Sequence, residues 1–222
     1  MGQRPHLYLP APWVDPLLVL QPGMRHHLER VLRKKPGDAV SYTDGAGSGG
    51  LGRLRLEGVE RGVEKLHPQP TPQIVVGVAP PRSTSRVRTL VEKVAELGCD
   101  RLVWLSTMHG EGRAPAHEKA SAWAVAALQQ SRGHHLLQIG GPVSMDHEWP
   151  RNYQVLVADR DGTTVQPDTD EATEGVVVVI GPESGFSPGE VPDGASLIRL
   201  GAKVLRVETA AIAAVALLAA RR

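Results

Sequence analysis

VVVVIGPESGF (176–186), SPGEVPDG (187–194) and SLIRLGAKVLRVETAAIAAVALLAA (196–220) decide how this chain folds. The β-branched run Val176 to Ile180 suits a strand buried on both faces of a parallel sheet. It runs into Gly181-Pro182-Glu183-Ser184-Gly185, where glycines permit close backbone approach and Pro182 fixes one step of the path. Ser187, Pro188 and Glu190 have the spacing of a capping box, which predicts a short helix. A second strand, Ser196 to Leu200, enters a second glycine loop, Gly201 to Arg206, and an Ala-rich helix follows from about Glu208. Two strand ends thus deliver two glycine-bearing loops, the place where an open α/β sheet takes its ligand.

Upstream, strand and helix alternate. Strands are expected at Gln73 to Ala79, Arg101 to Ser106 and Gln154 to Ala158, with helices at Ser85 to Leu97 and His117 to Arg132. Val87, Leu90, Val91, Val94 and Leu97 mark the inward face of the first helix, and Gly98 ends it. Such alternation implies a largely parallel sheet covered by helices. Asp159 to Glu174 is polar and acidic and is expected to be an exposed loop. His67-Pro68-Gln69-Pro70-Thr71-Pro72 is a proline-spaced linker, dividing the chain into domains 1–70 and 71–222.

The first domain reads as β-rich with one helix. Short strands are expected at Leu7 to Leu9, Leu17 to Leu20, Ala39 to Thr43 and Leu51 to Leu56. A helix is expected over Met24 to Lys35, with Leu28, Val31 and Leu32 inward. Its polar side carries Arg25, Arg30, Arg33, Lys34 and Lys35, which serve either a solvated surface or a phosphate backbone. The run Asp44 to Gly50 lacks the Gly-Lys-Ser/Thr ending of a phosphate loop and reads as a flexible hairpin connection.

Charge divides unevenly. Residues 1–71 carry ten Lys/Arg against seven Asp/Glu; residues 72–222 carry fifteen against seventeen. A positive excess in the first part is the footprint of a region touching phosphates. The single cysteine, Cys99, excludes an internal disulfide and a cysteine-based zinc site. His26 and His27 are neighbours that point apart on a helix, so no metal is expected. No apolar run is long enough for a membrane span, and a cytoplasmic protein is expected.

The pair IGPESGFSPGE and LGAKVLRVETAA resembles the SPOUT class of RNA methyltransferases, and more narrowly the RsmE family, the 16S rRNA uridine-N3 methyltransferases. RHHLERVLRKKPGD (25–38), VEKVAELG (91–98) and Gln130-Ser131-Arg132 are similar to further elements of that family, so the resemblance spans nearly the whole chain. The chain departs from the pattern at Ser184, Val207 and Gly133, in TMHGEGR (107–113), and around Ala158.

The resemblance implies a SPOUT-type α/β trefoil-knot domain preceded by a small PUA-like β-barrel that grips RNA. It implies S-adenosyl-L-methionine held by Gly181, Pro182, Glu183, Ser184, Gly185, Leu200, Gly201, Val204 and Leu205. It also implies a homodimer acting on ribosomal RNA or the small subunit, with Arg25, Arg30, Arg33, Lys34, Lys35 and Arg132 as RNA contacts. Methylating uridine N3 requires loss of a proton that is largely retained at neutral pH. At the exit of the second loop, Arg206 could stabilise the uridylate, and Glu208 could accept the proton or orient Arg206. Glu208 also suits a plain helix first turn, where an acid complements the dipole. A knotted methyltransferase with another RNA target and a non-catalytic RNA-binding relative remain alternatives. A nicotinamide-type enzyme is disfavoured because no strand is followed by G-x-G-x-x-G.

Overall fold

The computed structural model describes residues 4–164, 173–191 and 195–222. The chain divides into two compact units. One comprises Met1–Gln69 with Leu128–Leu136, and the other Pro70–Ala127 with Leu137–Arg222.

In the first unit, β1 (His6–Tyr8), β2 (Leu17–Val19), β3 (Ala39–Thr43), β4 (Ser48–Leu54) and β5 (Gly58–Leu66) form one mixed sheet in the order β1-β3-β4-β5-β2. The β1–β3 pair is parallel and the others antiparallel. Alternation along the strands sends Leu7, Leu18, Val40, Tyr42, Leu54 and Val59 inward, where Leu28, Trp13 and Met24 join them. Tyr42 is fully buried, and its hydroxyl donates to Glu64 Oε1 at 2.7 Å, a carboxylate that Arg61 also holds. Burial and that bond push the Tyr42 phenol up to about 12.

The single helix expected over 24–35 is instead a short α1 (Pro22–His26) running into a π-helical turn, His27–Val31. Leu32 N–H donates to the His27 carbonyl, five residues back. The wider turn breaks the 3.6-residue stacking, so Leu28 is buried while Val31 and Leu32 are 62% and 41% exposed. Arg33 then takes a positive φ of 51°. The glycine run also differs from a flexible connection. β4 already begins at Ser48, and Asp44 Oδ1 accepts from the N–H groups of Ala46 and Ser48 at 2.8 and 2.9 Å. From 133–136, the His134 carbonyl accepts from Gly47 N–H, and Leu136 N–H donates to Gly45.

In the second unit, β6 (Gln73–Val78), β7 (Arg101–Leu105), β8 (Gln138–Val143), β9 (Tyr153–Thr164), β10 (Gly175–Ile180) and β11 (Ser196–Arg199) form a six-stranded sheet in the order β11-β9-β10-β6-β7-β8. Every pairing is parallel. All six residues of β10 are buried, as its β-branched run requires. Val75, Val103, Val157, Val177 and Val179 pack with Trp149 and Phe186 in one apolar cluster. α2 (Thr84–Glu96) buries Val87, Leu90, Val91 and Val94. It closes with Gly98 at φ 86°, where Cys99 N–H reaches the Val94 carbonyl and Gly98 N–H reaches Ala95. α3 (His117–Ser131) follows β7, and α4 (Val207–Ala219) packs on α2, β6 and β10.

Three expectations for this unit are corrected. β9 extends to Thr164, so 159–164 is strand paired with β11 across a register shift, while 165–172 lie outside the described residues. β8 was hidden by Gly140-Gly141-Pro142, a sequence that reads as a turn. Ser187 starts a turn, not a helix: Gly189 adopts φ 77°, outside helical space. Half of the capping box survives, with Ser187 N–H donating to Glu190 Oε2 at 2.9 Å.

His134 lies among His6, His67 and His135, stacked on the His67 ring at 3.6 Å between centroids. Burial, followed by the charges of His67, His6 and His135, lowers its imidazole to about 4. An unfolded histidine titrates near 6.5, so the unfolded chain takes up this proton first. The stabilisation is complete above about pH 6.5 and is lost as the pH falls toward 4. We expect the melting temperature to drop over that interval, and to drop less in His134→Phe, which keeps a stacking ring without the proton. Equal slopes in thermal scans of the two proteins would dismiss this role.

Candidate functional site

In the order β11-β9-β10-β6-β7-β8 the chain leaves β6 toward β7 on one side and β10 toward β11 on the other, so the sense of connection switches across the parallel β10–β6 pair. Segments leaving the C-terminal ends of those two strands part there, the place where open α/β sheets take their ligands. β6 continues through Pro80 and Pro81 into α2, while β10 continues into Gly181–Gly185.

Arg86, in the first turn of α2, reaches both acids of the region. Its guanidinium contacts Glu208 Oε2 at 2.5 Å and Glu183 Oε1 at 2.7 Å. The Arg86 and Glu208 side chains are 25% and 12% exposed, so the pair is largely removed from water. Burial works against the Glu208 charge, but the Arg86 hydrogen bond, a local backbone bond and the charges of Arg86 and Arg206 outweigh it. The carboxyl is therefore held below its ordinary value. The Glu208 bond, more than the Glu183 bond, raises the Arg86 pKa in turn. One cation thus bridges two carboxylates at a strand junction.

The other expected residues gather around this cluster unevenly. Arg206 precedes α4 with extended backbone and is exposed; the Glu208 carboxylate bonds Arg86, and Arg206 acts on it only as a nearby charge. Val204 is almost fully exposed, and a Cβ built on Gly201 would meet nothing closer than 3.8 Å. Gly185 has φ 78° and open space beside it. Gly181 is different, because a Cβ there would come within 2.9 Å of the Phe186 ring. Its small size serves packing of the loop on itself. Ser184, which replaces a glycine of the family pattern, donates through Oγ to the His109 carbonyl at 3.3 Å. Open space therefore lies beside Gly185 and Gly201, one in each glycine loop. Cys99 is buried and its thiol is pushed up to about 12 by burial, so it is no nucleophile.

In the first unit, Arg25, Arg30, Arg33, Lys34 and Lys35 cluster within the α1 segment and form no ion pairs among the described residues. Arg132 has φ 60° at the end of α3 and donates to the Arg4 carbonyl at 3.0 Å. No group of three or more metal-ligating side chains occurs among the described residues.

Arg86 was missed from sequence because hydrophobic periodicity marks only its neighbours. One signal was present: α2 has a cation and no acid in its first turn, against the helix dipole. A misplaced charge of that kind needs carboxylates from elsewhere.

The chain is similar to known RNA methyltransferases. The RNA methyltransferase domain model matches residues 67–219. The ribosomal RNA small subunit methyltransferases E of Mycobacterium bovis and Mycobacterium tuberculosis are each 29% identical over 216 residues, covering 85% of this chain and 80% of theirs. A probable rRNA-methyltransferase from Porphyromonas gingivalis matches with a TM-score of 0.84 and 26% identity, covering 96% of each chain. A ribosomal RNA small subunit methyltransferase E from Neisseria gonorrhoeae, bound to S-adenosyl methionine, shares the fold with a TM-score of 0.83 and 20% identity, covering 97% of each chain.

Arg86→Leu should destabilise the protein by about 2 kcal/mol at neutral pH, the scale of a lost hydrogen bond to a charged group. Since the folded Glu208 pKa is lowered, that stabilisation is present above the ordinary carboxylate range and is lost as the pH falls through the folded value. Denaturant unfolding should therefore show wild type and variant converging below about pH 4. A pH-independent gap would assign the loss to packing alone.

Proposed function

The chain belongs to the RNA methyltransferase family, and from that premise we propose that it methylates N3 of a uridine in the 16S rRNA of the small ribosomal subunit. The methyl donor in this reading is S-adenosyl-L-methionine. The names of the mycobacterial relatives support the substrate, and the donor bound to the gonococcal structure supports the cofactor. The observation that carries the reading is the Arg86–Glu183–Glu208 cluster at the strand junction, beside two glycine loops with open space at Gly185 and Gly201.

The donor supplies an electrophilic methyl group: the N3–carbon bond forms as the carbon–sulfur bond breaks, and its electrons neutralise the sulfonium. Backbone groups of Gly181–Gly185 and Leu200–Leu205 hold it, with Pro182, Val204 and Leu205 against its apolar parts. Holding the reactants in line supplies much of the acceleration, about 7–11 kcal/mol in good models. The N3 proton must leave first. Glu208 is a weakened base because Arg86 occupies it, so stabilising the uridylate falls mainly to Arg206, an exposed cation two residues before it. Glu208 takes the proton only as uracil approaches. Ser184 is engaged by His109, which supports retained donor binding over a non-catalytic role.

The remaining parts follow the same reading. β10 lies inside β9 while β11 lies beyond it, an order that suits the trefoil knot; residues 192–194 of its course lie outside the described set. Thr209, Ala213, Ala216, Leu217 and Ala220 form a small, largely exposed stripe on α4, the face proposed for a homodimer. The first unit, proposed as a PUA-like domain spanning about 1–70, grips RNA through the cations around α1. No described helix is long and apolar enough to cross a membrane, which is compatible with action on ribosomes in the cytoplasm.

Arg206→Ala should leave donor affinity intact by calorimetry and slow methylation of small-subunit particles about a hundredfold, near 3 kcal/mol. Unchanged turnover would remove Arg206 from the chemistry, and mapping the methyl to another atom would remove the uridine-N3 reading. Neutralising Arg30, Arg33 and Lys34 together should flatten the salt dependence of RNA binding by about one unit of slope per lost phosphate contact. An unchanged slope would leave that segment facing solvent only.

A further inference from the structure

The loop after β7, residues 106–114, does not stay over its own strand. β6 lies between β7 and β10 in the sheet, yet the loop is tied to the segments that leave both β6 and β10. On the β6 side, Glu111 pairs with Arg82, and a Cβ on Gly112 would overlap the Pro80 carbonyl. On the β10 side, Met108 N–H donates to Glu190 Oε1 at 2.8 Å, and Ser184 Oγ donates to the His109 carbonyl at 3.3 Å. The loop therefore spans the junction where those two segments part, beside the first glycine loop.

These ties are unequal. The Arg82 and Glu111 side chains are 66% and 62% exposed, and an ion pair so open to water contributes little. The Ser184 bond is long and joins neutral groups. Glu190 differs because it uses both carboxylate oxygens. Oε1 takes the Met108 N–H, and Oε2 takes the N–H of the buried Ser187 at 2.9 Å. Charge-assisted bonds of this kind are the stronger ones. The turn itself already closes through the Glu190 N–H and the Ser187 carbonyl at 3.0 Å, so the contact to Met108 serves the other loop. Glutamine has the same size, but its amide must turn an NH2 group toward one of the two N–H donors. Ser187 follows Gly185, which has φ 78° and open space beside it, by two residues. Holding Ser187 fixes the exit of the glycine loop, whose entry is fixed by β10.

We infer that Glu190 is a positioning residue for the methyl donor: it seats the loop after β7 on the exit of the first glycine loop and so slows release of the donor. A loop held in its binding geometry beforehand costs less to order when the ligand arrives, and such gains appear mainly in the dissociation rate. The inference rests on reading Gly181–Gly185 as donor-binding. Which base or atom is methylated does not enter.

The test measures release of tritiated S-adenosyl-L-methionine from the full chain after dilution into unlabelled donor. Glu190→Gln should release it about tenfold faster than wild type, the effect of one hydrogen bond to a charged group. If Glu190 only stabilised the fold, the variant would melt earlier and release the donor at the wild-type rate. Amide exchange gives a second readout without donor: Met108 should be protected in wild type and lose that protection in Glu190→Gln. Ser184→Gly covers the case in which the first variant does not fold. It leaves Glu190 in place, removes the bond to His109, and should also speed release. Wild-type release from Glu190→Gln, or from Ser184→Gly if the first variant does not fold, overturns the inference and leaves donor binding standing. An unprotected Met108 amide in wild type does the same. Failure of wild type to bind the donor at all overturns this inference together with the methyltransferase reading.

Discussion

One guanidinium holds the C-terminal end of the parallel sheet together. Glu183 arrives on the loop after β10 and Glu208 on the first turn of α4, and both point at Arg86 in the first turn of α2. Glu208 is largely withdrawn from water while Glu183 is 45% exposed, and Arg86 gives both an opposite charge. Arg86 itself sits where the dipole of α2 disfavours positive charge. Because its members come from three segments, the cluster fixes the loop after β10 against both helices.

That constraint shapes what the site can do. A carboxylate already bonded to arginine is a poor proton acceptor, so in the proposed reaction the burden moves from base catalysis to stabilising charge on the base. The loop 106–114 adds a second set of ties through Ser184 and Glu190. Ser184 therefore compensates for its departure from the family pattern with a bond that a glycine lacks.

The first unit follows a different logic. Its π-helical turn exposes Val31 and Leu32 among the cations around α1, giving a surface both apolar and basic. Such a mixture suits a phosphate backbone with unstacked bases better than a purely charged face does. The glycine run 44–50, which sequence reads as a free connection, is held by His134 and Leu136, more than eighty positions away. Local composition records the glycines and says nothing of those partners.

Periodicity determined the strands with continuous β-branched runs, the inward stripe of α2 and its glycine stop, because burial and capping are written in adjacent residues. The family-like loops supplied only an expectation of where a cofactor sits. Tertiary structure decided whatever depends on residues distant in the chain. It made 159–164 a strand because β11 offers a partner, and it made Ser187–Glu190 a turn, with Glu190 bonded to Met108 as well as Ser187. It also brought Arg86 to Glu183 and Glu208, at separations of 97 and 122 positions. A sequence states the charge and hydrogen-bonding capacity of each group; only the fold determines which of them is satisfied.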